Sequence, residues 1–266
     1  MSRIPRVGSF HALATTPFAD GINALCWERS LPGDFAEVVR LLSHRFAGGP
    51  DADRAPEENA GLITIEPSML ESLRSAPGDQ LSASGTPASH ATGHTSLTAA
   101  GRAAVSVLLD DWAALRSLQR DPVLNLIHGY PRDEEGGPVP TDVFSFHADS
   151  APVPADTWLC TYHGPPSEGL RNEDAVRKID LPATRAALLK LHGGPDDAAF
   201  AEFLSENHYD LHYAAKPGVA PSAAYSFGLF NLWRICCEYP DAPVPPCVHR
   251  APFTRPGDPP RLLLIS

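Results

Sequence analysis

The sequence has no apolar run approaching the roughly 20 residues that cross a bilayer as a helix, and its opening, MSRIPRVGSFHAL, lacks the apolar core of a secretion signal. A cytoplasmic protein without a membrane partner is expected. No Lys/Arg-rich stretch is present either. With 21 basic against 32 acidic residues the net charge is −11, the wrong sign for tracking a phosphate backbone or an anionic lipid surface. The expected partner is a small molecule, not nucleic acid. Cysteine is sparse and odd in number: Cys26, Cys160, Cys236, Cys237 and Cys247 contain no Cys-x-x-Cys pair. That excludes a secreted disulfide framework and a zinc ribbon, leaving buried thiols. Gly-x-Gly-x-x-Gly, Gly-x4-Gly-Lys-Ser/Thr and Gly-x-Ser-x-Gly are also missing, so neither a nucleotide cradle nor a hydrolase nucleophile elbow is supported.

Proline and glycine are plentiful, 28 and 20 residues dispersed over the chain, as expected of many short elements joined by turns. The length of 266 residues suits a single domain with a substantial core. Apolar residues at helical spacing predict helices over 31–45, 68–73 and 99–118, and a further helical signal covers 182–205. Residues 76–97 are small and polar and read as a long loop, with the length of a lid. Beyond Pro122 the pattern becomes short β-type runs: VLNLIHGY, TDVFSFHAD, TWLCTYHG, AAYSFGLFNLWRICCEY, PCVHRAP and RLLLIS. The expected class is α+β. A mainly helical part over about 1–120 would buttress a jelly-roll, cupin-like core over about 121–266.

One constellation carries chemistry. A strand has a period of two, so a strand over 143–149 would project His147 and Asp149 from one face, where both can hold one ion. About 100 residues later, His249 lies in another strand-like run. Two histidines and a carboxylate form the facial triad that leaves coordination positions open, as non-heme Fe(II) oxygenases require. Twelve positions after His249 stands Arg261, opening the last strand. A bidentate guanidinium is the natural clamp for a carboxylate. The plain structural alternative makes His147 and His249 satisfied core histidines and Arg261 a surface ion-pair member.

The order His-x-Asp, distant His, then Arg resembles the 2-oxoglutarate/Fe(II) dioxygenase superfamily, whose core is a double-stranded β-helix. More narrowly, FHAD (146–149), CTYHGP (160–165), VHRAP (248–252) and RLLLIS, with the early INALCWERSLP, look like a bacterial and fungal family of oxygenase-like proteins. The chain departs from that pattern after CTYHGP, where PSEGL replaces a Gly-Thr-Glu-Trp-like element, so no role carries over to Glu168. The resemblance implies Fe(II), 2-oxoglutarate and O2 as cofactors. It also implies His147, Asp149 and His249 as metal ligands and Arg261 as the cosubstrate clamp. Oxidation of a small molecule by hydroxylation, desaturation or ring closure, with 2-oxoglutarate decarboxylated to succinate, would be the outcome.

Tyr162 is the expected hydrogen-bond donor to the cosubstrate. In FNLWRICCEY, alternation places Arg234 and Asn231 on opposite faces; Arg234 is the preferred substrate residue, Asn231 the other, which points to an amino acid or amino-acid-derived acid. His208 and His212 are four apart but lack a His-Glu-x-x-His pattern, and no site is assigned to them. His90 and His94 fall in the 76–97 loop. Asp110 and Asp111 read as a solvated acidic pair. Two other functions fit the same residues: a cupin-like metalloenzyme that does not use 2-oxoglutarate, and a non-catalytic jelly-roll binding protein.

Overall fold

The structure, a computed structural model, describes residues 4–47, 61–76, 96–133, 137–255 and 257–266. In chain order the elements are β1 (Arg6–Val7), α1 (Phe10–Thr15), β2 (Ala24–Trp27), α2 (Phe35–Ala47), β3 (Leu62–Ile65), α3 (Pro67–Ser75), α4 (Ala99–Ser117), β4 (Val123–Ile127) and β5 (Asp156–His163). There follow β6 (Glu168–Leu170), β7 (Ala175–Arg177), α5 (Pro182–His192), α6 (Ala198–Glu206), β8 (Tyr213–Ala215), β9 (Tyr225–Ser226), β10 (Leu232–Cys236), β11 (Val248–Arg250) and β12 (Arg261–Ile265). The helices expected near 31–45, 68–73 and 99–118 are α2, α3 and α4, and the later helical signal resolves into α5 and α6.

Local chemistry sets their ends. Asp34 accepts from the Glu37 N–H ahead of α2, the Thr98 hydroxyl accepts from the Gly101 N–H at the start of α4, and Asp197 caps α6. Pro67 and Pro182 open α3 and α5, where a missing N–H costs nothing. Glu37 also reaches across to take the N–H and hydroxyl of Thr98, fastening α2 to the start of α4.

Seven strands form one sheet in the order β1-β2-β10-β5-β12-β4-β3, antiparallel apart from β1 with β2. A three-stranded antiparallel sheet runs β11-β6-β9, and β7 pairs with β8. The large sheet is buried on both faces, as the unbroken burial of β5 from Asp156 to Tyr162 shows. One face carries Leu25, Trp158, Cys160, Tyr162, Leu262 and Leu264 against helical residues such as Val38, Leu42 and Leu108. The other carries Ile127, Leu159, Trp233, Ile235 and Leu263, which join Phe227 and Cys247 from beside the small sheet. That second face is the interior in which the candidate site lies.

The class is α+β, as expected. Two details differ. The first 120 residues are not only a helical buttress, because β1, β2 and β3 pair into the large sheet. Residues 141–149 do not form a regular strand: Asp142 accepts from the N–H groups of Phe144 and Ser145 and turns the chain there, and only His147 and Ser150 make isolated bridges. The loop expected over 76–97, with His90 and His94, lies outside the described residues except at Ala76, Ser96 and Leu97. Among the described residues, no helix is long and apolar enough to cross a membrane.

Candidate metal centre

His147 and His249 face each other across two neighbouring segments, exchanging both backbone hydrogen bonds, His147 N–H to His249 C=O at 2.8 Å and the reverse at 2.9 Å. Directly paired residues of an antiparallel ladder project to the same face, and the two imidazole centroids are 4.6 Å apart. Asp149 completes the group. Its Oδ1 is 3.9 Å from His147 Nε2 and its Oδ2 is 3.7 Å from His249 Nε2. With metal–ligand bonds of about 2.1 Å, ligands of one ion stand roughly 3.0–3.4 Å apart. The three groups therefore sit a little wider than a closed coordination shell. Among the described residues, they are the group whose ligand atoms converge within 4.8 Å.

The surroundings prepare these atoms for a cation. His147 Nδ1 lies 2.8 Å from the Ser145 carbonyl and His249 Nδ1 lies 3.3 Å from the Cys247 carbonyl. A carbonyl can only accept, so both protons belong on Nδ1 and both Nε2 lone pairs point toward Asp149. Burial, reinforced by the neighbouring His249, pushes His147 down to about 4, so this imidazole is neutral at physiological pH. Burial alone would raise the Asp149 carboxyl. His249, the Thr157 hydroxyl that donates to Oδ2 at 2.6 Å, and His147 outweigh it and hold the group below its ordinary value. Two imidazoles and one carboxylate are a borderline donor set that suits a divalent transition metal.

Arg261 begins β12 and points into the same interior as Leu263. It is 1% exposed, which excludes a surface ion-pair role. Its guanidinium donates to the Tyr130 hydroxyl at 2.8 Å, to Ser167 Oγ at 3.1 Å and to Thr161 Oγ1 at 3.4 Å; its Nε has no partner. All three partners are neutral. Burial accordingly lowers the proton affinity of this group. Ser167 lies two residues before Gly169, the register partner of His249, so β6 links the cation to the ligand cluster. Phe227, stacked on Trp233 with centroids 4.2 Å apart, lies beside His249 and gives that imidazole an apolar neighbour.

Two expectations, for Tyr162 and Arg234, are corrected. Tyr162 projects from the opposite face of β5. Its hydroxyl donates to Asp111 at 2.6 Å within the helical core, and its neighbour Thr161 is the residue that reaches Arg261. Arg234 likewise faces the helices: it pairs with Asp156 at 2.5 Å, donates to the carbonyls of Leu13, Ala14 and Thr16, and lies over Phe18. It is spent on anchoring α1, and the acid substrate inferred from it loses its basis. Asn231 closes the 227–231 turn by donating to the Phe227 carbonyl at 3.0 Å.

Asp111 is not solvated. It is buried, accepting from Arg29 at 2.6 Å as well as from Tyr162. Glu168 pairs with Arg250 across β6 and β11. All five cysteines are free and buried, as expected. Sequence reasoning missed Tyr130, Thr157, Thr161 and Ser167. Thr157 and Thr161 carry a readable signal, being polar residues two places either side of Leu159, on the same face of a largely apolar strand. Tyr130 and Ser167 sit in turns and carry none. The chain matches no protein-family model, no curated protein and no solved structure.

Proposed function

We propose that this protein is a non-heme Fe(II)- and 2-oxoglutarate-dependent oxygenase on a double-stranded β-helix core, oxidising a small molecule. The observation that carries the reading is Arg261, a buried guanidinium with three neutral partners and no carboxylate among the described residues, in the same interior as a His-Asp-His cluster. An uncompensated buried cation costs several kcal/mol. A bound dicarboxylate removes that cost, and a planar guanidinium grips a carboxylate in two places. The cluster would hold the metal and Arg261 the far carboxylate of a cosubstrate.

His147, Asp149 and His249 would occupy three coordination positions and leave the others for exchangeable ligands. Fe(II) supplies the chemistry that couples O2 to cosubstrate decarboxylation and substrate oxidation. The protein's share is positioning and exclusion of water. Ser145 and Cys247 carbonyls fix both imidazole tautomers, and the Thr157 hydroxyl orients Asp149. Tyr130, Thr161 and Ser167 hold the guanidinium plane, while Phe227, stacked on Trp233, gives His249 an apolar neighbour.

The test is anaerobic titration of the metal-free protein with Fe(II) and then 2-oxoglutarate, following the weak visible charge-transfer absorption of a chelated cosubstrate. Arg261→Met is measured alongside. Iron should bind both proteins, and the absorption should require on the order of 100-fold more 2-oxoglutarate in the variant, the loss expected when one partner of a buried charge pair is removed. Iron binding without the absorption would leave a cupin-like metalloenzyme. No iron binding would leave a binding protein.

A further inference from the structure

The minor-sheet side of the site is a row of residues in register. His147 is bridged to His249 on one side and to His212 on the other, and His249 in turn pairs with Gly169, which pairs with Tyr225. Directly opposed residues in antiparallel pairing share a face. His212, His147, His249 and Tyr225 therefore all project toward the same interior. Gly169 is the gap in the row, and a Cβ there would strike the Tyr225 ring.

His212 is the histidine of this row without an assigned role. It is 5% exposed, and its ring centroid lies 5.9 Å from that of His147, against 4.6 Å between the two candidate ligands. Its imidazole does not join the converging ligand atoms. Its Nδ1 is buried with no hydrogen-bond partner among the described residues. A buried polar atom without a partner is destabilising, and the backbone holding it is not free to relax. Tyr213 N–H bonds to the Phe146 carbonyl at 2.7 Å, Ala148 N–H to the Leu211 carbonyl at 3.0 Å, and Lys178 N–H to the His212 carbonyl at 2.8 Å. The ring is thus fixed beside His147 with one nitrogen unspent. Such a group awaits a ligand.

Resting on the metal-centre reading above, we propose that His212 is a positioning residue that hydrogen-bonds, without ligating the metal, a small exogenous ligand held at the coordination position next to His147. The ligand class is a small oxygen- or nitrogen-terminated molecule or anion able to accept or share a proton with imidazole. Selectivity for what enters beside His147 then depends on this position.

The full chain is loaded with Co(II), and azide, a small hydrogen-bond acceptor, is titrated while the cobalt visible bands are followed in the unaltered protein, His212→Leu and His212→Asn. His212→Phe replaces the leucine variant if the latter loses its native circular dichroism. The apolar variant should bind Co(II) with affinity within about twofold of the parent and azide roughly tenfold more weakly, the loss of one buried hydrogen bond. Asn, whose amide nitrogen overlays Nδ1, should recover most of the azide affinity. Unchanged azide affinity in the apolar variant overturns the proposal while leaving the metal centre intact. A large fall in Co(II) affinity also overturns it, by making His212 a ligand. Failure of the unaltered protein to bind Co(II) overturns the metal-centre reading and this inference with it.

Discussion

At the residue scale, the site depends on contacts in which single atoms matter. Thr157 donates to Asp149 at 2.6 Å. Thr157→Val keeps the shape and removes the donor, so metal affinity should fall about 10- to 100-fold, the usual effect of removing a group that orients a ligand. Competition with a chromophoric chelator measures it, and an unchanged affinity would show that Asp149 needs no orienting partner. Gly164 makes a second case. It has φ +78°, and a Cβ there would lie 3.0 Å from Arg261 Cγ and 2.9 Å from the Pro260 carbonyl. Gly164→Ala should therefore weaken 2-oxoglutarate binding while sparing Fe(II) binding, and should cost roughly 1–2 kcal/mol in stability for the left-handed backbone. Separate titrations of metal and cosubstrate distinguish this from general destabilisation, which would weaken both.

At the element scale, the helices are fixed to the large sheet by buried polar contacts. Arg29, beside β2, bonds Asp111 of α4, the Phe230 carbonyl and the Cys160 sulfur, while Tyr162 of β5 donates to the same Asp111. Burial pushes the Tyr162 hydroxyl well above its ordinary range, so it stays a donor. Asp111→Ala strands the Arg29 charge and should destabilise by about 3–5 kcal/mol, whereas Tyr162→Phe should cost about 1 kcal/mol. Urea unfolding measures both. In folded Tyr162→Phe, cosubstrate affinity should be unchanged; a clear loss would return Tyr162 to the site.

At the scale of the whole molecule, two clusters sandwich the seven-stranded sheet, and every cysteine is buried in or beside them. Burial raises Cys160 and Cys247 to about 12 and Cys26 to about 11, so at pH 8 all three are almost wholly protonated and poor nucleophiles. Native protein should react with an aromatic disulfide reagent only as fast as the fold opens, and all five thiols should react at once in denaturant. A rapidly modified thiol in native protein would mean that one cluster opens locally.

Legible in the sequence are the helices α2 to α6, most late strands, and the candidate group His147, Asp149 and His249 with a buried Arg261. These are legible because periodicity follows from the backbone, and because two imidazoles, a carboxylate and a guanidinium in that order have few other uses. Alternation along β10 also separated two faces correctly. It could not tell which face looks inward, because both are buried, one by helices and one by the small sheet. Choosing Tyr162 in place of Thr161, and Arg234 as a substrate residue, follows from that ambiguity. The 141–149 segment reads as a strand but turns at Asp142, and His147 and Asp149 converge with His249 through pairing with 249–251, 211–213 and Glu238, contacts far away in sequence. Only the tertiary structure decides which side of each strand faces the candidate site and brings His212 next to His147, because cross-strand register is set by packing between distant segments and leaves no period in any one of them.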